Sequence, residues 1–312
     1  MPAPIPPPIV AVVGATAAGK TALSVALAER LGGEVVNTDA MQLYRGMDIG
    51  TAKASAAERR GVPHHLLDLL DVTEPASVAD FQALARSVIA DLRARARVPV
   101  LVGGSALYTR AVLDRFDFPG TDPAVRARYE ARLAEVGAPA LHRLLAERDP
   151  DAAAGIVPEN GRRVVRALEV GELTGRPFSA SLPRLEHVDP RTLQVGVDID
   201  RPTLDARIEQ RVDRMFEDGL VAEVERLLAR GLADGLTAPR AIGYREVAAH
   251  LAGELSLDEA RARTVVATRR FARRQDAWFR KDPRIVWVGY DADDRVDRAI
   301  AAVRALDERI GP

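Results

Sequence analysis

A glycine-rich loop between a predicted strand and a predicted helix restricts the possible folds of this chain more than any other feature. Residues 9–13 form a short β-branched apolar run that stops at Gly14, and residues 21–31 show the apolar spacing of a helix. The connecting segment, GATAAGKT over residues 14–21, matches the pattern G-x-x-x-x-G-K-[ST]. Because such a loop follows a buried strand and opens a helix, the sequence predicts an α/β fold.

The same loop predicts a site for a diphosphate. Its glycines let backbone N–H groups turn inward, the helix N-terminus adds positive potential, Lys20 supplies a point charge and the Thr21 hydroxyl can bind Mg²⁺. The pattern is typical of nucleotide-binding and ATP-binding proteins, but it specifies a diphosphate with Mg²⁺ and not a nucleotide. The predicted diphosphate-binding residues are Gly14, Thr16, Ala17, Ala18, Gly19, Lys20 and Thr21.

Further strands alternate with helices along the chain. Apolar runs predict strands over residues 34–38, 98–102, 193–199 and 284–288. Helical spacing covers residues 78–96, 106–113, 203–229, 244–251 and 257–280. This alternation predicts a P-loop NTPase-like parallel sheet flanked by helices.

One part of the chain lacks strand signals. Between about residues 119 and 189, short helical segments rich in Ala, Leu, Glu and Arg are broken by glycine and proline. We therefore predict a helical insertion domain at 119–189 within a core made of residues 9–118 and 190–312. The proline-rich start, residues 1–8, is predicted to be disordered.

Composition excludes several classes of protein. The 312 residues are 47% hydrophobic, with no apolar stretch long enough to span a membrane and no cysteine for disulfides or thiolate metal sites. No histidine spacing supports a metal site either. With no signal peptide recognised, we expect a cytoplasmic monomer that does not enter membranes.

Asp39 follows the predicted strand at 34–38, at the edge of the sheet where ligands of open α/β folds bind. It could be an indirect Mg²⁺ ligand, a ribose acceptor, a general base or simply a turn cap, and the ribose role is disfavoured because the loop is not G-x-G-x-x-G. Nucleoside triphosphatases usually end a buried strand with an Asp that holds Mg²⁺. Here residues 98–102 end in Gly103-Gly104-Ser105, which weakens hydrolase and kinase interpretations.

At this point several separated blocks carry a family resemblance. The segment 39–53, DAMQLYRGMDIGTAK, resembles the signature of the tRNA dimethylallyltransferases. Blocks at residues 61–68, 102–108, 162–169, 241–246 and 273–280 resemble further family segments in the same order. The resemblance extends from about residue 9 to residue 288.

The resemblance implies transfer of a dimethylallyl group from dimethylallyl diphosphate to N6 of adenosine 37, beside the tRNA anticodon. The loop would then hold the prenyl diphosphate and not ATP, with Mg²⁺ as cofactor. Asp39 would accept the proton of the adenine amine, and Ser105 matches a family threonine that contacts substrate. By the same analogy Arg207 and Arg211 would stabilise the leaving diphosphate, although a solvated helix face paired with Glu209 or Asp213 is an alternative.

RNA binding must be local, because 44 basic and 45 acidic residues give a net charge of -1. Basic residues from Arg269 to Lys281 alternate with Phe271, Trp278 and Phe279, which suits phosphate contact and base stacking, or else a solvated helix with its aromatics in the core. With the resemblance, the predicted tRNA-binding residues are Asp39, Ala40, Met41, Gln42, Ser105, Arg126, Arg162, Arg163, Arg166, Arg240, Gly243, Tyr244, Arg245, Arg273, Arg274 and Arg280.

Two other functions remain as alternatives. A small-molecule kinase could use the same loop, but it would want a second Mg²⁺-binding acid and an arginine-bearing lid that the sequence does not reveal. A nucleotide-gated RNA-binding module without chemistry would not need an acid at Asp39.

Overall fold

The computed structural model describes residues 5–116, 118–181 and 185–310, which form two compact units. One unit comprises Met1–Leu113 with His187–Pro312, and the other is Asp114–Glu186. The second unit therefore begins and ends a few residues earlier than the 119–189 segment expected from the sequence. Residues 1–4 of the proline-rich start lie outside the described residues.

A parallel sheet forms the centre of the first unit, as predicted. Its six strands have the order β3-β2-β4-β1-β5-β6, and every pairing is parallel. The strands are β1 (Ile9–Val13), β2 (Glu34–Asn37), β3 (His64–His65), β4 (Pro99–Val102), β5 (Thr192–Asp198) and β6 (Ile285–Gly289).

Apolar β-branched side chains explain why the central strands form. All five residues of β1 are buried, since its two faces are covered by helices and its neighbours are β4 and β5. Parallel register brings the carboxyl ends of β1, β2 and β4 to the same edge of the sheet, so that Gly14, Asp39 and Gly103 follow there.

Most of the long helices agree closely with the predicted periodicity. The helices before the insertion are α1 (Lys20–Leu31), α2 (Ala56–Arg59), α3 (Val78–Ala94) and α4 (Ala106–Leu113). The second unit contains α5 (Pro123–Val136), α6 (Ala138–Arg148), α7 (Pro150–Ala154) and α8 (Gly161–Thr174), packed around a core that includes Leu141, Leu145 and Val164.

The helices after the insertion complete the first unit. They are α9 (Arg201–Glu217), α10 (Leu220–Leu228), α11 (Tyr244–Leu251), α12 (Leu257–Phe279) and α13 (Arg295–Ile310). The single helix predicted over 203–229 is wrong: it breaks at Gly219, whose φ of 99° is left-handed and ends the helical path. Over the described part of the chain, no helix combines the length and apolar character that crossing a membrane would require.

Candidate active site

A cleft of about 970 Å³ opens at the carboxyl ends of β1, β2 and β4. The predicted loop, Asp39 and two of the predicted arginines all contribute to its wall. Its lining residues include Thr16, Ala17, Gly19, Lys20, Thr21, Asp39, Gln42, Asp48, Thr51, Lys53, Arg59, Gly103, Gly104, Arg207, Arg211, Arg214, Asp218 and Gln275.

Glycine is required at both ends of the loop. Gly14 has a φ of 133°, and a Cβ there would lie 3.2 Å from the carbonyl oxygen of Val197. Gly19, with a φ of 105°, precedes the first residue of α1. These left-handed conformations turn the loop back over the helix N-terminus, which directs its positive end toward the cleft.

Lys20 is the first residue of α1, and its Nζ donates a 2.8 Å hydrogen bond to the carbonyl oxygen of Ala15. Burial and the charge of Arg211 lower the pKa of Lys20 to about 8, while Asp39 acts in the opposite direction. Nearby negative charge does not offset the desolvation of the ammonium group, so an anion in the cleft would stabilise the charged form of Lys20.

Arg207 and Arg211 lie on the face of α9 that borders the cleft. Arg211 Nη1 is 3.4 Å from Thr16 Oγ1, to which it donates, and a Cβ built on Gly19 would lie 3.8 Å from Arg207 Nη2. Burial and the neighbouring Arg207 lower the pKa of Arg211, as expected for like charges held together.

The solvated-face alternative for these two arginines is not what the structure contains. Glu209 instead accepts a 2.7 Å hydrogen bond from Arg269, and Asp213 lies 3.8 Å from Arg261. The sequence also missed a third member of this basic wall, Arg214, although its position three residues after Arg211 puts it on the same helix face.

Asp39 both caps a turn and borders the cleft. It is the N-cap of a 3₁₀ helix at Ala40–Leu43, where its Oδ1 accepts a 2.9 Å hydrogen bond from the backbone N–H of Met41. Burial raises the pKa of Asp39, while the Met41 N–H and the charge of Lys20 oppose the shift. The structure therefore unites the capping role with a carboxylate that is more basic than an exposed one.

The neighbours of Asp39 are placed differently from one another. Gln42 lines the cleft, and its amide donates to the carbonyl oxygen of Thr51 at 3.1 Å. Thr51 also lines the cleft, so this bond joins two segments of the cleft wall. Ala40 and Met41 are partly buried in the 3₁₀ helix, and Ser105 lies immediately beyond the lining residue Gly104.

Lys53 is an internal ion-pair centre. Its Nζ lies 2.6 Å from a carboxylate oxygen of Asp48 and 2.6 Å from one of Asp68, and it donates to the carbonyl oxygen of Tyr44 at 3.0 Å. With all its donors in use, this lysine shapes the wall of the cleft and is not a free cation for a ligand.

Sequence reasoning missed the buried carboxylate of Glu223 in α10. It accepts hydrogen bonds from the backbone N–H groups of Asp48, Ile49 and Gly50 and from the Tyr244 hydroxyl at 2.5 Å. Burial and the adjacent Glu223 charge raise the pKa of Tyr244. The apolar periodicity of α10 could have flagged a glutamate on its buried face.

This network corrects two predicted tRNA contacts. The Tyr244 side chain is fully buried and bonded to Glu223, so it cannot touch RNA in this structure. Gly243 is also buried, with a φ of 90° that starts α11. Both residues support the wall of the cleft from behind.

The remaining predicted RNA-contact arginines fall into two groups. Arg162, Arg163, Arg240, Arg273 and Arg274 are exposed and form no ion pair within the described part of the chain. Arg126 and Arg166 are partly buried and pair with buried Glu169. Arg245 and Arg280 are exposed but paired, with Glu246 and Asp198 respectively, and the Arg280 guanidinium lies 3.9 Å from the centre of the Trp287 ring. The exposed group without ion pairs is the better candidate for phosphate contact.

The residues at the cleft would suit a Mg²⁺ ion only if most of its ligands were water or phosphate oxygens. Among the described residues, no group of three or more His, Cys, Asp or Glu side chains is arranged to hold a metal on its own. Mg²⁺ commonly keeps several waters and takes one or two protein ligands besides phosphate oxygens. Thr21 and Asp39, both on the cleft wall, are the residues suited to that role.

Two comparisons with known protein sequences identify the same family. The family model described as IPP transferase matches residues 42–282. A tRNA dimethylallyltransferase from Nocardioides sp. is 70% identical over 304 residues, covering 97% of this chain and 98% of the relative.

Solved structures agree with these sequence matches. The tRNA isopentenylpyrophosphate transferase of Bacillus halodurans is 42% identical with a TM-score of 0.72, over 97% of this chain and 98% of the other. A eukaryotic dimethylallyltransferase described as acting on tRNA is 26% identical with a TM-score of 0.80, over 96% of this chain and 77% of the other.

Proposed function

Because the chain belongs to the IPP transferase family, we propose that it transfers a dimethylallyl group from dimethylallyl diphosphate to N6 of adenosine 37 in tRNA, and that this reaction takes place in the cleft. Family members of high identity are named tRNA dimethylallyltransferases, so the enzyme class is that of a transferase. The observation that carries the specific proposal is that one cleft is lined both by the basic loop with its arginines and by the carboxylate of Asp39.

The basic wall is suited to the diphosphate. Backbone N–H groups of the loop other than that of Thr16, with Lys20, Arg207 and Arg211, would hold the leaving group and stabilise the charge that it gains during transfer. Burial and the charge of Arg211 lower the pKa of Lys20 to about 8, so a bound diphosphate would stabilise the charged form of this lysine. When bound, Mg²⁺ would supply further charge neutralisation to the diphosphate oxygens, with Thr21 as its protein ligand.

Asp39 is suited to the proton. Attack by N6 forms the new N–C bond at the allylic carbon as the C–O bond breaks, and the electron pair of that bond leaves with the diphosphate. The amine must lose one proton, which the Asp39 carboxylate would accept. Its raised pKa makes it a better base than an exposed carboxylate.

The adenine must leave its stack to enter the cleft, which unpaired loop nucleotides do at low cost. Exposed arginines of α12 and of the insertion would bind the RNA backbone, and Arg273 and Arg274 are the α12 candidates. The anticodon loop meets the requirement for unpaired bases.

The decisive assay incubates the protein with labelled dimethylallyl diphosphate, Mg²⁺ and tRNA that carries unmodified adenosine 37. We expect label in tRNA, its loss when adenosine 37 is replaced by guanosine, and its loss with EDTA. Absence of transfer together with turnover of ATP would contradict the proposal and favour a phosphotransferase.

A further inference from the structure

Gln275 of α12 joins two loops that lie far from it in the sequence. Its Oε1 accepts a 2.8 Å hydrogen bond from the backbone N–H of Thr16, and its Nε2 donates a 2.8 Å hydrogen bond to the carbonyl oxygen of Gly104. Gln275 is 5% exposed. A buried amide whose donor and acceptor are both used by main chain is rigidly held.

The first bond orders the diphosphate side of the cleft. Because Thr16 N–H is directed at Gln275, the position of the Thr16 side chain is restricted, and Thr16 Oγ1 in turn contacts Arg211 Nη1 at 3.4 Å. Gln275 therefore acts on the basic wall through Thr16.

The second bond orders the side of the cleft that holds the carboxylate. Gly103, next to Gly104, packs so tightly on Thr38 that a Cβ would fall far inside van der Waals contact with the Thr38 side chain and carbonyl. Thr38 immediately precedes Asp39 and is itself fixed by a 3.1 Å hydrogen bond between its hydroxyl and that of Thr109. A shift of Gly104 would be transmitted to the backbone next to Asp39.

We propose that Gln275 is a positioning residue for prenyl transfer that sets the spacing between the diphosphate loop and Asp39. The inference rests on the proposed function. The contact requires glycine at position 104, because a Cβ at that position would collide with Gln275 Nε2. Misplacement of reacting groups by about 1 Å can cost on the order of a hundredfold in rate, so the spacing matters more for turnover than for binding.

The first test compares Gln275→Met with wild type in the labelled-prenyl assay. Methionine has similar size but cannot make either hydrogen bond, so we expect kcat to fall by at least about tenfold while KM for tRNA changes by less than about threefold. The matched control is Thr264→Val, which removes a 2.8 Å hydrogen bond to the Ala260 carbonyl within α12 and leaves both loops untouched. It should retain kcat within about twofold.

The second test uses the predicted collision. Gly104→Ala should lower kcat in the wild-type background, but much less in a Gln275→Ala background, where the short side chain leaves room for the new methyl group. Such non-additivity is the signature of two residues that act through one contact. Additive losses would overturn the inference.

The outcomes separate the inference from the function on which it rests. If wild type transfers no label, the proposed function fails. If wild type transfers label and Gln275→Met retains kcat within about twofold, or Thr264→Val loses as much as Gln275→Met, the positioning role is wrong. Should Gln275→Met lack a cooperative thermal transition, Gly104→Ala measured against Gly104→Ala/Gln275→Ala decides the question.

Discussion

At the residue scale, burial brings the pKa values of two groups that line the cleft, Asp39 and Lys20, closer together. The pKa of Asp39 is raised and that of Lys20 is lowered to about 8, because each charge has lost water. Their mutual attraction opposes both shifts without cancelling them. Such perturbed groups concentrate at sites where chemistry occurs.

Asp39→Asn tests the base without removing the cap. Asparagine keeps the oxygen that accepts from Met41 N–H, so the 3₁₀ helix should persist, but it cannot take a proton. We expect kcat to fall at least about a hundredfold, with tRNA affinity within about threefold of wild type. Unchanged turnover in a single-turnover assay would reduce Asp39 to a cap.

The pH profile of kcat/KM tests both groups. Activity should fall on the acid side as Asp39 becomes protonated, at a pH above that of an ordinary carboxyl because its pKa is raised. It should fall on the alkaline side as Lys20 loses its proton near a pKa of about 8. Lys20→Arg keeps the charge, so the alkaline limb should move beyond the measurable range; an unmoved limb would assign it to another group.

At the element scale, α12 combines two tasks. Gln275 faces the cleft, whereas Arg273 and Arg274 are exposed, and the guanidinium of Arg274 lies 5.8 Å from the Phe271 ring. The helix period places these roles on different faces of one rigid element. Under the proposed function, docking of RNA at Arg273 and Arg274 and order of the diphosphate loop would depend on the same helix.

Replacing Arg273 and Arg274 with Gln tests the RNA-facing side of α12. Each lost phosphate contact should reduce the slope of log affinity against log salt by about 0.7 to 0.9 and weaken tRNA binding. Arg263→Gln, an exposed arginine of the same helix on an earlier turn, serves as the control. Filter binding at several salt concentrations measures the slopes, and equal slopes for all variants would identify a merely solvated face.

Tyr244→Phe tests the corrected role of α11. The substitution removes the hydroxyl that donates to buried Glu223, leaving the carboxylate with the backbone N–H groups of residues 48–50. We expect a loss of about 1–3 kcal/mol in the free energy of unfolding, measured by urea denaturation. The tRNA affinity should be unchanged under conditions in which the variant is fully folded. A specific loss of RNA affinity with no loss of stability would restore Tyr244 as a contact.

At the scale of the whole molecule, charge is balanced but unevenly placed. The net charge is -1, so no global field draws RNA to the protein. The insertion unit nevertheless exposes Arg162 and Arg163 at the start of α8, while Arg126 and Arg166 form ion pairs with buried Glu169. Of the four arginines of this unit that the sequence predicts to contact RNA, Arg162 and Arg163 are the two that remain exposed for a partner.

The double variant Arg162→Gln/Arg163→Gln tests the insertion. We expect weaker tRNA binding, a salt slope smaller by about 1.4 to 1.8, and an unchanged KM for dimethylallyl diphosphate. Arg132→Gln, on exposed α5 surface, is the matched control. A change in the diphosphate KM with intact tRNA affinity would contradict the assignment of the insertion to RNA.

The sequence by itself determined the local elements and the chemistry of the loop, because the information for both is short-range. Strand β1, the glycines with φ above 100° and the helix α4 at Ala106–Leu113 follow from periodicity and from residues that favour particular φ and ψ values. The block at 39–53 indicated the family for the same reason. Strand β3 escaped prediction because two residues carry no periodicity.

Only the tertiary structure decided which polar side chains support the site. Gln275 contacts Thr16 across 259 positions, and Glu223 contacts Ile49 across 174. The tertiary structure also places Tyr244 in the interior instead of on an RNA-binding surface, and it shows which of the predicted arginines carry ion pairs. A hydrogen bond depends on distance and direction in space, and no local pattern specifies which buried amide or carboxylate will meet a backbone N–H far along the chain.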